Sequence, residues 1–311
     1  MRVPFNAAPS SLVYQLNQLT ARQSQLQGQA ASGQRVALPE DDPSAVQRVF
    51  THQIEASANQ QYGDNIGLLK EQAGAGLDAM RGLQKVVDRA GEIAILADDT
   101  KSPDELRIYA VEIGQLIRQA AQSMNSRFRD EYIFSGTRSD QPPFVVVEDA
   151  QGQVTGVNYQ GSTDVPEIQI SEAERVAVKV PGANTSGTGA RGVVADSRSG
   201  ADLFNHLISL RDNLLAGDTA AISATDRPAL RLDEDNLVLH LGENAALQAR
   251  LETASSLSGK RASSLRALIS QEVDADLAST LVSLNAAQNA YRAALQSGAT
   301  LMGTSLMDYL R

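Results

Sequence analysis

The stretch YGDNIGLLKEQAGAGLDAMRGLQKVVDRAGEIAILA, residues 62–97, decides the architecture of this chain. Its apolar and small residues fall at Tyr62, Ile66, Leu69, Ala73, Gly76, Met80, Leu83, Val87, Ala90, Ala94 and Ala97, in alternating steps of four and three. That period keeps one stripe of a helix turned toward a partner helix. The helix begins well upstream. Asp42 can accept a bond from a free N–H of a first turn, and Pro43 suits the first helical position, where a missing N–H costs nothing. The spacing predicts one helix from Pro43 to about residue 98, roughly 80 Å at 1.5 Å per residue. A rod of that length suits a coiled coil or an elongated bundle, not a globular core.

Both ends of the chain repeat the pattern. Leu12, Leu16, Leu19 and Leu26, with Gln23 and Ala30 completing the series, form one seam; Leu277, Leu281, Leu284, Gln288, Tyr291 and Leu295 form another. Between them, Ser102-Pro103-Asp104-Glu105 restarts a helix with a capping box, and Leu106, Tyr109, Ile113, Leu116, Ala120 and Met124 supply its apolar face. From about Tyr132 the period changes. Phe144–Glu148 and Val154–Tyr159 flank Asp149-Ala150-Gln151-Gly152-Gln153 and read as a hairpin; Glu167–Ile170 and Arg175–Val180 are further strands. Residues 181–200, rich in Gly, Ser and Thr, read as a loop. Helix resumes at Asp202, and another starts near Pro228 and runs beyond residue 255. The expected fold is mainly α with a β insertion: a long coiled-coil or helical bundle formed by both chain ends, with a small β-rich lobe in the middle. Its expected parts are terminal coiled-coil helices (1–44 and 271–311), a rod-like bundle (45–131 and 201–270) and an outward β lobe (132–200). The two ends then lie side by side.

Composition fits and excludes. With 4% aromatic residues and no Trp, the core must come from Leu, Ile, Val and Ala, which suits long helices. Asp plus Glu outnumber Lys plus Arg by 37 to 27, so phosphate backbones are repelled and nucleic acid is excluded as a partner. No cysteine is present, which removes disulfides, thiolate nucleophiles and thiolate metal sites. All-apolar runs are as short as Phe144–Val147, so membrane insertion is not expected. The opening residues MRVPFNAAPSSLVYQL lack the apolar stretch of a secretory signal, so any route out of the cell is expected to need no cleaved signal.

The two ends are unusually poor in charge. Residues 10–34 and 277–311 hold four charged side chains, Arg22, Arg292, Asp308 and Arg311, where the chain average of 21% would give about thirteen. A two-helix coiled coil in water needs charged flanks. Two readings follow: the ends pack inside a polymer, covered by neighbouring subunits, or they form the buried centre of an ordinary bundle. On the first reading, each end of an isolated monomer buries too little surface to offset its ordering entropy and is partly disordered.

Candidate chemistry is thin. Gly187-Thr188-Gly189-Ala190-Arg191-Gly192 matches G-x-G-x-x-G, but no helix start follows and no β–α alternation surrounds it, so it reads as a flexible loop. Gly259-Lys260-Arg261 lacks the rest of a phosphate loop. His52, His206 and His240 stand far apart, without a second ligand type at helical spacing, and read as exposed or partly packed helical residues. Glu40-Asp41-Asp42 reads as a turn with a helix cap, and Asn184-Thr185-Ser186 is a glycosylation sequon, with little meaning if the source is bacterial. No catalytic constellation, cofactor site or metal site is expected. Gly63, Gly67, Gly74, Gly76, Gly82 and Gly91 each weaken the long helix by about 1 kcal/mol relative to Ala; either neighbouring helices approach closely there or the helix tolerates them.

Four segments in order resemble the flagellin family. Ser32-Gly33-Gln34-Arg35-Val36, followed by Pro39-Glu40-Asp41-Asp42-Pro43-Ser44-Ala45, is similar to its N-terminal turn and helix start, with Gln34 where a lysine is common. Tyr132-Ile133-Phe134-Ser135-Gly136-Thr137, then Pro142-Pro143-Phe144, resembles the entry to the β domain of its hook-associated branch, and Asp274-Ala275-Asp276-Leu277 and the ending Ser305-Leu306-Met307-Asp308-Tyr309-Leu310 fit that branch. The resemblance implies a non-enzymatic, extracellular structural subunit at the hook–filament junction, exported without a cleaved signal. Its implied partners are hook-associated protein 1, flagellin, copies of itself in a ring and a cytoplasmic export chaperone. Leu12, Leu16, Leu19, Leu26, Leu277, Leu281, Leu284, Tyr291, Leu295, Leu306 and Tyr309 are the expected assembly residues. A short filament flagellin, or a non-flagellar type III secreted coiled-coil factor, remains the alternative.

Overall fold

The computed structural model describes the backbone over residues 7–309 and the side chains over residues 10–300. Long helices dominate: α1 (Ala7–Ser32), α2 (Pro43–Leu96), α3 (Pro103–Met124), α4 (Leu203–Ala216), α5 (Thr219–Ala221), α6 (Arg227–Val273) and α7 (Leu277–Tyr309). The chain divides into two units, residues 1–58 with 260–311, and residues 59–259; α2 and α6 contribute to both.

In the larger unit, α2 turns the expected stripe inward. Ile66, Leu69, Ala73, Met80, Leu83, Val87, Ala90, Ala94 and Ala97 are buried and Tyr62 is half-buried. α3 starts with the capping box read from its sequence: the Ser102 hydroxyl accepts from Glu105 N–H, and the Glu105 carboxylate accepts from Ser102 N–H at 2.8 Å. One core joins α2 and α3 to Leu203, Leu207 and Leu210 of α4 and to Leu230 and Leu237 of α6. Close helix approach explains only some of the α2 glycines. A methyl group at Gly82 would stand 3.3 Å from Ser123 Oγ, and one at Gly76 would touch Asn244 and Ile133, but Gly67, Gly74 and Gly91 face open space.

The β residues form four small sheets. β1 (Arg127–Phe128) pairs with β2 (Glu131–Tyr132), β3 (Phe144–Glu148) with β4 (Val154–Tyr159), and β5 (Glu167–Gln169) with β6 (Arg175–Ala177), each antiparallel. The β3–β4 hairpin has the expected bounds, and Asp149 ties its loop by accepting from Gln151 and Gln153 N–H. Its Phe144 and Val154 join the helical core, while Ile170, Val176 and Val178 pack on Ile66, Leu69, Ala73 and Leu251.

Residues 181–200, read as a loop, hold two short strands, and the G-x-G-x-x-G stretch between them has no regular structure. β7 (Ala183–Asn184), β8 (Ala195–Asp196) and β9 (Ala201–Asp202) form a three-stranded sheet within and just beyond those residues. Its polar residues do the ordering. The Asn184 amide donates to the Thr188 and Ala190 carbonyls at 2.6 Å, and buried Asp196 holds Arg198 and the Gly192 N–H.

Helix α6 begins from a π turn, Ile222–Asp226. The Pro228 ring would crowd the carbonyl four residues earlier in a regular α-helix, and the wider turn relieves it. Buried Asp226 fixes the turn by accepting from Ser209 Oγ and Asn213 Nδ2, both at 2.7 Å.

In the smaller unit, α1 lies along α7, so the two ends run side by side as expected. Among the described residues no helix is long and apolar enough to cross a membrane.

Candidate assembly face

Helix α1 keeps the seam its sequence shows. Leu12, Leu16, Leu19, Gln23 and Ala30 are half-buried and Leu26 is buried, while nearly every other residue from Ser10 to Ala31 is exposed.

Helix α7 departs from its leucine pattern. Its covered face is Thr280, Leu284, Ala287, Tyr291, Ala294 and Gly298, with Gln288 half-buried beside it. The period of 3.5 is as expected, but the helix is rotated so that small residues meet α1. Gly298 shows why: a methyl group there would overlap the Leu12 side chain, so the leucine of α1 fills the space a side chain on α7 would need. As a correction to the seam read from the leucines, Leu277, Leu281 and Leu295 are half in water, with Val282 more exposed still. Leu284 and Tyr291 remain inward. Leu306 and Tyr309 lie outside the residues whose side chains are described.

Two connections fasten the pair. The α1–α2 connection and the α6–α7 connection bind each other: Arg35 N–H donates to the Val273 carbonyl at 2.6 Å, Ala275 N–H donates to the Gly33 carbonyl at 2.8 Å, and Gln34 bridges Asp274. Arg48 grips the Glu272 carboxylate through two bonds of 2.8 and 2.7 Å, and Arg35 donates to the Glu272 carbonyl and to Asp42. Asp41 and Asp42 are turn and cap residues, as read from sequence. Asp41 accepts from Ala37 and Leu38 N–H, and Asp42 from Ala45 N–H. The Ala45 N–H and Arg35 hold the Asp42 carboxyl below its ordinary pKa, and Arg48 does the same for Glu272.

The outer faces of α1 and α7 are nearly uncharged where a solvated helix pair would be charged, and large apolar side chains of this unit stand in water. Val13 and Tyr14 on α1, Phe50 and Ile54 on α2, and Leu277, Leu281, Val282 and Leu295 on α7 are all exposed. A shallow groove between α1 and α7 is lined by Leu19 and Ala287, by Gln15, Gln18, Ser283 and Ala290, and by Arg22. It offers amides, small side chains and a single charge, which suits another helix laid along it.

His52 and His206 are partly packed, as read from sequence, and His240 departs from that reading. His240 is buried and His206 is paired with Asp233 at 2.8 Å. Among the described residues no three His, Asp or Glu side chains cluster as a metal site would require. The G-x-G-x-x-G segment leads into strand β8, not a helix.

Residues 4–139 match the family description "bacterial flagellin N-terminal helical region". No curated protein matches the sequence. Among solved structures, the chain is similar to one assigned as a flagellar hook-associated protein of Vibrio parahaemolyticus, with a TM-score of 0.64 and 16% identity, covering 75% of this chain and 100% of that one. It is similar to FlgL of Bacillus cereus, at 0.53 and 18%, covering 71% and 99%. It is also similar to FlgL of Xanthomonas campestris, at 0.55 and 13%, covering 70% and 99%. The fold of this chain is the fold of those structures.

Proposed function

We propose that this chain is a non-enzymatic structural subunit of the bacterial flagellum, placed at the junction between hook and filament, which assembles through α1 and α7. The supporting observation is the mismatch on α7. The helix pairs with α1 through small residues and leaves Leu277, Leu281, Val282 and Leu295 in water, with no charged side chain anywhere from residue 277 to residue 291. A helix meant to face solvent carries charge on its outer side; this one carries leucine, which other subunits would cover. The flagellin match over residues 4–139 and the likeness to FlgL structures supply the setting.

In this reading residues 1–44 and 271–311 make the axial contacts, 45–131 and 201–270 the rod, and 132–200 an outward lobe. The neighbours are hook-associated protein 1, flagellin and further copies of the chain in a ring. An export chaperone holds the chain before it leaves the cell.

The test is to delete the gene, view the cells by electron microscopy and assay flagellin in the medium. Bare hooks with flagellin shed to the medium are expected. Hooks in cells that make no flagellin at all would identify a filament subunit instead, and normal filaments would overturn the flagellar assignment.

A further inference from the structure

Charge and bulk are divided between two sides of α2 in the smaller unit. From Pro43 to Ala58 the helix carries one arginine and one glutamate, Arg48 and Glu55. Both are committed to α6: Arg48 holds the Glu272 carboxylate, and Glu55 accepts from Arg261 at 2.7 Å. One side of the stretch carries Ala45, fully buried, and Val49, His52 and Ala56, half-buried. Phe50 and Ile54 lie roughly half a helical turn away from Ala45 and His52, at about 3.6 residues per turn. They are 59% and 71% exposed. Gln47, Ser57 and Ala58 on that side are exposed and uncharged. A helix packed only on α6 would place its bulky apolar residues inward and its charges outward. This stretch does the reverse.

Helix α7 carries a matching strip. Leu277 and Leu281 stand about one turn apart and are half in water, with Val282 beside them and no charged side chain from residue 277 to residue 291. Phe50 and Ile54 are also one turn apart. Each pair is therefore a short ridge of residues four apart, the unit by which one helix seats against another. Helix α1 has no such ridge among its described residues. Its exposed large apolar side chains are Val13 and Tyr14, neighbours in sequence that diverge by about 100°. Both ridges stand open in a single chain, so neither covers the other there. Each also disfavours a charged partner, because a charge laid on it would lose water and gain no counter-ion.

We infer that the Phe50–Ile54 ridge of α2 receives the Leu277–Leu281 ridge of α7 from a second copy of this chain. This contact rests on the reading of α7 as an assembly face, and adds the surface that α7 meets. The two patches differ, so the contact is heterologous. Each copy gives one ridge and takes one, and the series closes into a ring or runs on. These few side chains cover far less than the roughly 1,000 Å² of a stable interface. One such contact alone is weak: the dilute chain is monomeric, and association grows with concentration.

The chain has no cysteine, which makes the test direct. Full-length protein carrying both Ile54→Cys and Leu281→Cys is oxidised mildly at high concentration and run on a non-reducing gel. A ladder of dimers, trimers and longer species is expected, because every copy holds both halves of the bond. Phe50→Asp, added at an exposed position where circular dichroism should show the fold unchanged, is expected to remove the ladder. A ladder that survives Phe50→Asp would overturn the inference. So would an equal ladder from Leu281→Cys combined with Ile108→Cys, a comparably exposed position on α3. The absence of any ladder, or a fast-running monomer with positions 54 and 281 joined inside one copy, would count against it in the same way. Dimers from Leu281→Cys alone, in the amount the pair gives, would set α7 against α7; they would remove the α2 ridge as its partner and leave α7 as an assembly face. The flagellar setting is tested apart from all of these, by the gene deletion.

Discussion

Gly136 is the residue at which backbone geometry and sequence bind most tightly. Its φ is 63°, and a methyl group there would overlap the carbonyl oxygens of Ser162 and Asp164. Gly136→Ala therefore meets both a left-handed backbone and a steric collision, and should destabilise the chain by about 3 kcal/mol or more in a thermal melt. Nearby, Tyr159 Oη lies 3.0 Å from the Phe134 carbonyl and 3.1 Å from that of Ser162, and burial pushes its pKa up to about 12. An ultraviolet pH titration should show one tyrosine ionising about two units above an ordinary phenol. Tyr159→Phe should cost about 1 kcal/mol by removing the hydroxyl's hydrogen bond, the Phe134 carbonyl keeping the Gly182 N–H. At this scale the sequence is only partly legible. Ser135-Gly136 is visible as a motif. The burial of Asn236 and His240 is not, because a polar residue on a helix reads as surface until its partner is known. That partner is the Gly192 carbonyl, 44 and 48 residues away.

Helices α1 and α7 separate two roles that a leucine pattern alone runs together. Leu26 is 7% exposed and Leu281 is 50% exposed. Leu26→Ala should lower the stability of the helix pair by about 2–3 kcal/mol. Leu281→Asp should leave monomer stability within about 0.5 kcal/mol, as surface substitutions do. If the proposed function holds, Leu281→Asp should nonetheless abolish assembly. Circular dichroism melts and complementation of a deletion strain measure the two effects separately, and normal junctions with Leu281→Asp would sink the assignment of that face. The α2 seam, the Ser102 capping box and the β3–β4 hairpin could all be read directly, since each is a local pattern of period, cap or turn. The rotation of α7 could not. Of the six residues on its covered face, Thr280, Ala287, Ala294 and Gly298 carry little hydrophobic signal, and their place is set by the bulk of the leucines opposite.

For the whole molecule, the unequal depth of burial predicts unequal protection. α3 buries eight residues in a core shared with α2, α4 and α6, whereas α1 buries one side of a two-helix pair. Hydrogen exchange of the isolated chain should accordingly be faster in α1 and α7 than in α3. Acid should destabilise the fold. Arg198 holds Asp196 well below the usual carboxylate range, Arg89 lowers Glu112, and Arg48 lowers Glu272. Carboxyls depressed in this way contribute stability above their unfolded pKa, near 4, and lose it as the pH falls through the folded value. Urea midpoints should therefore drop between about pH 6 and about pH 3. The joined connections at Arg35 and Glu272 carry a last consequence, one of time. Their bond spans 237 positions of sequence. A chain made from its N-terminus exposes the leucine stripe of α1 throughout the synthesis of every residue up to that partner. Helix α1 is thus made long before its partner, and it spends that interval as an unsheltered sticky strip that any faster-arriving helix can occupy.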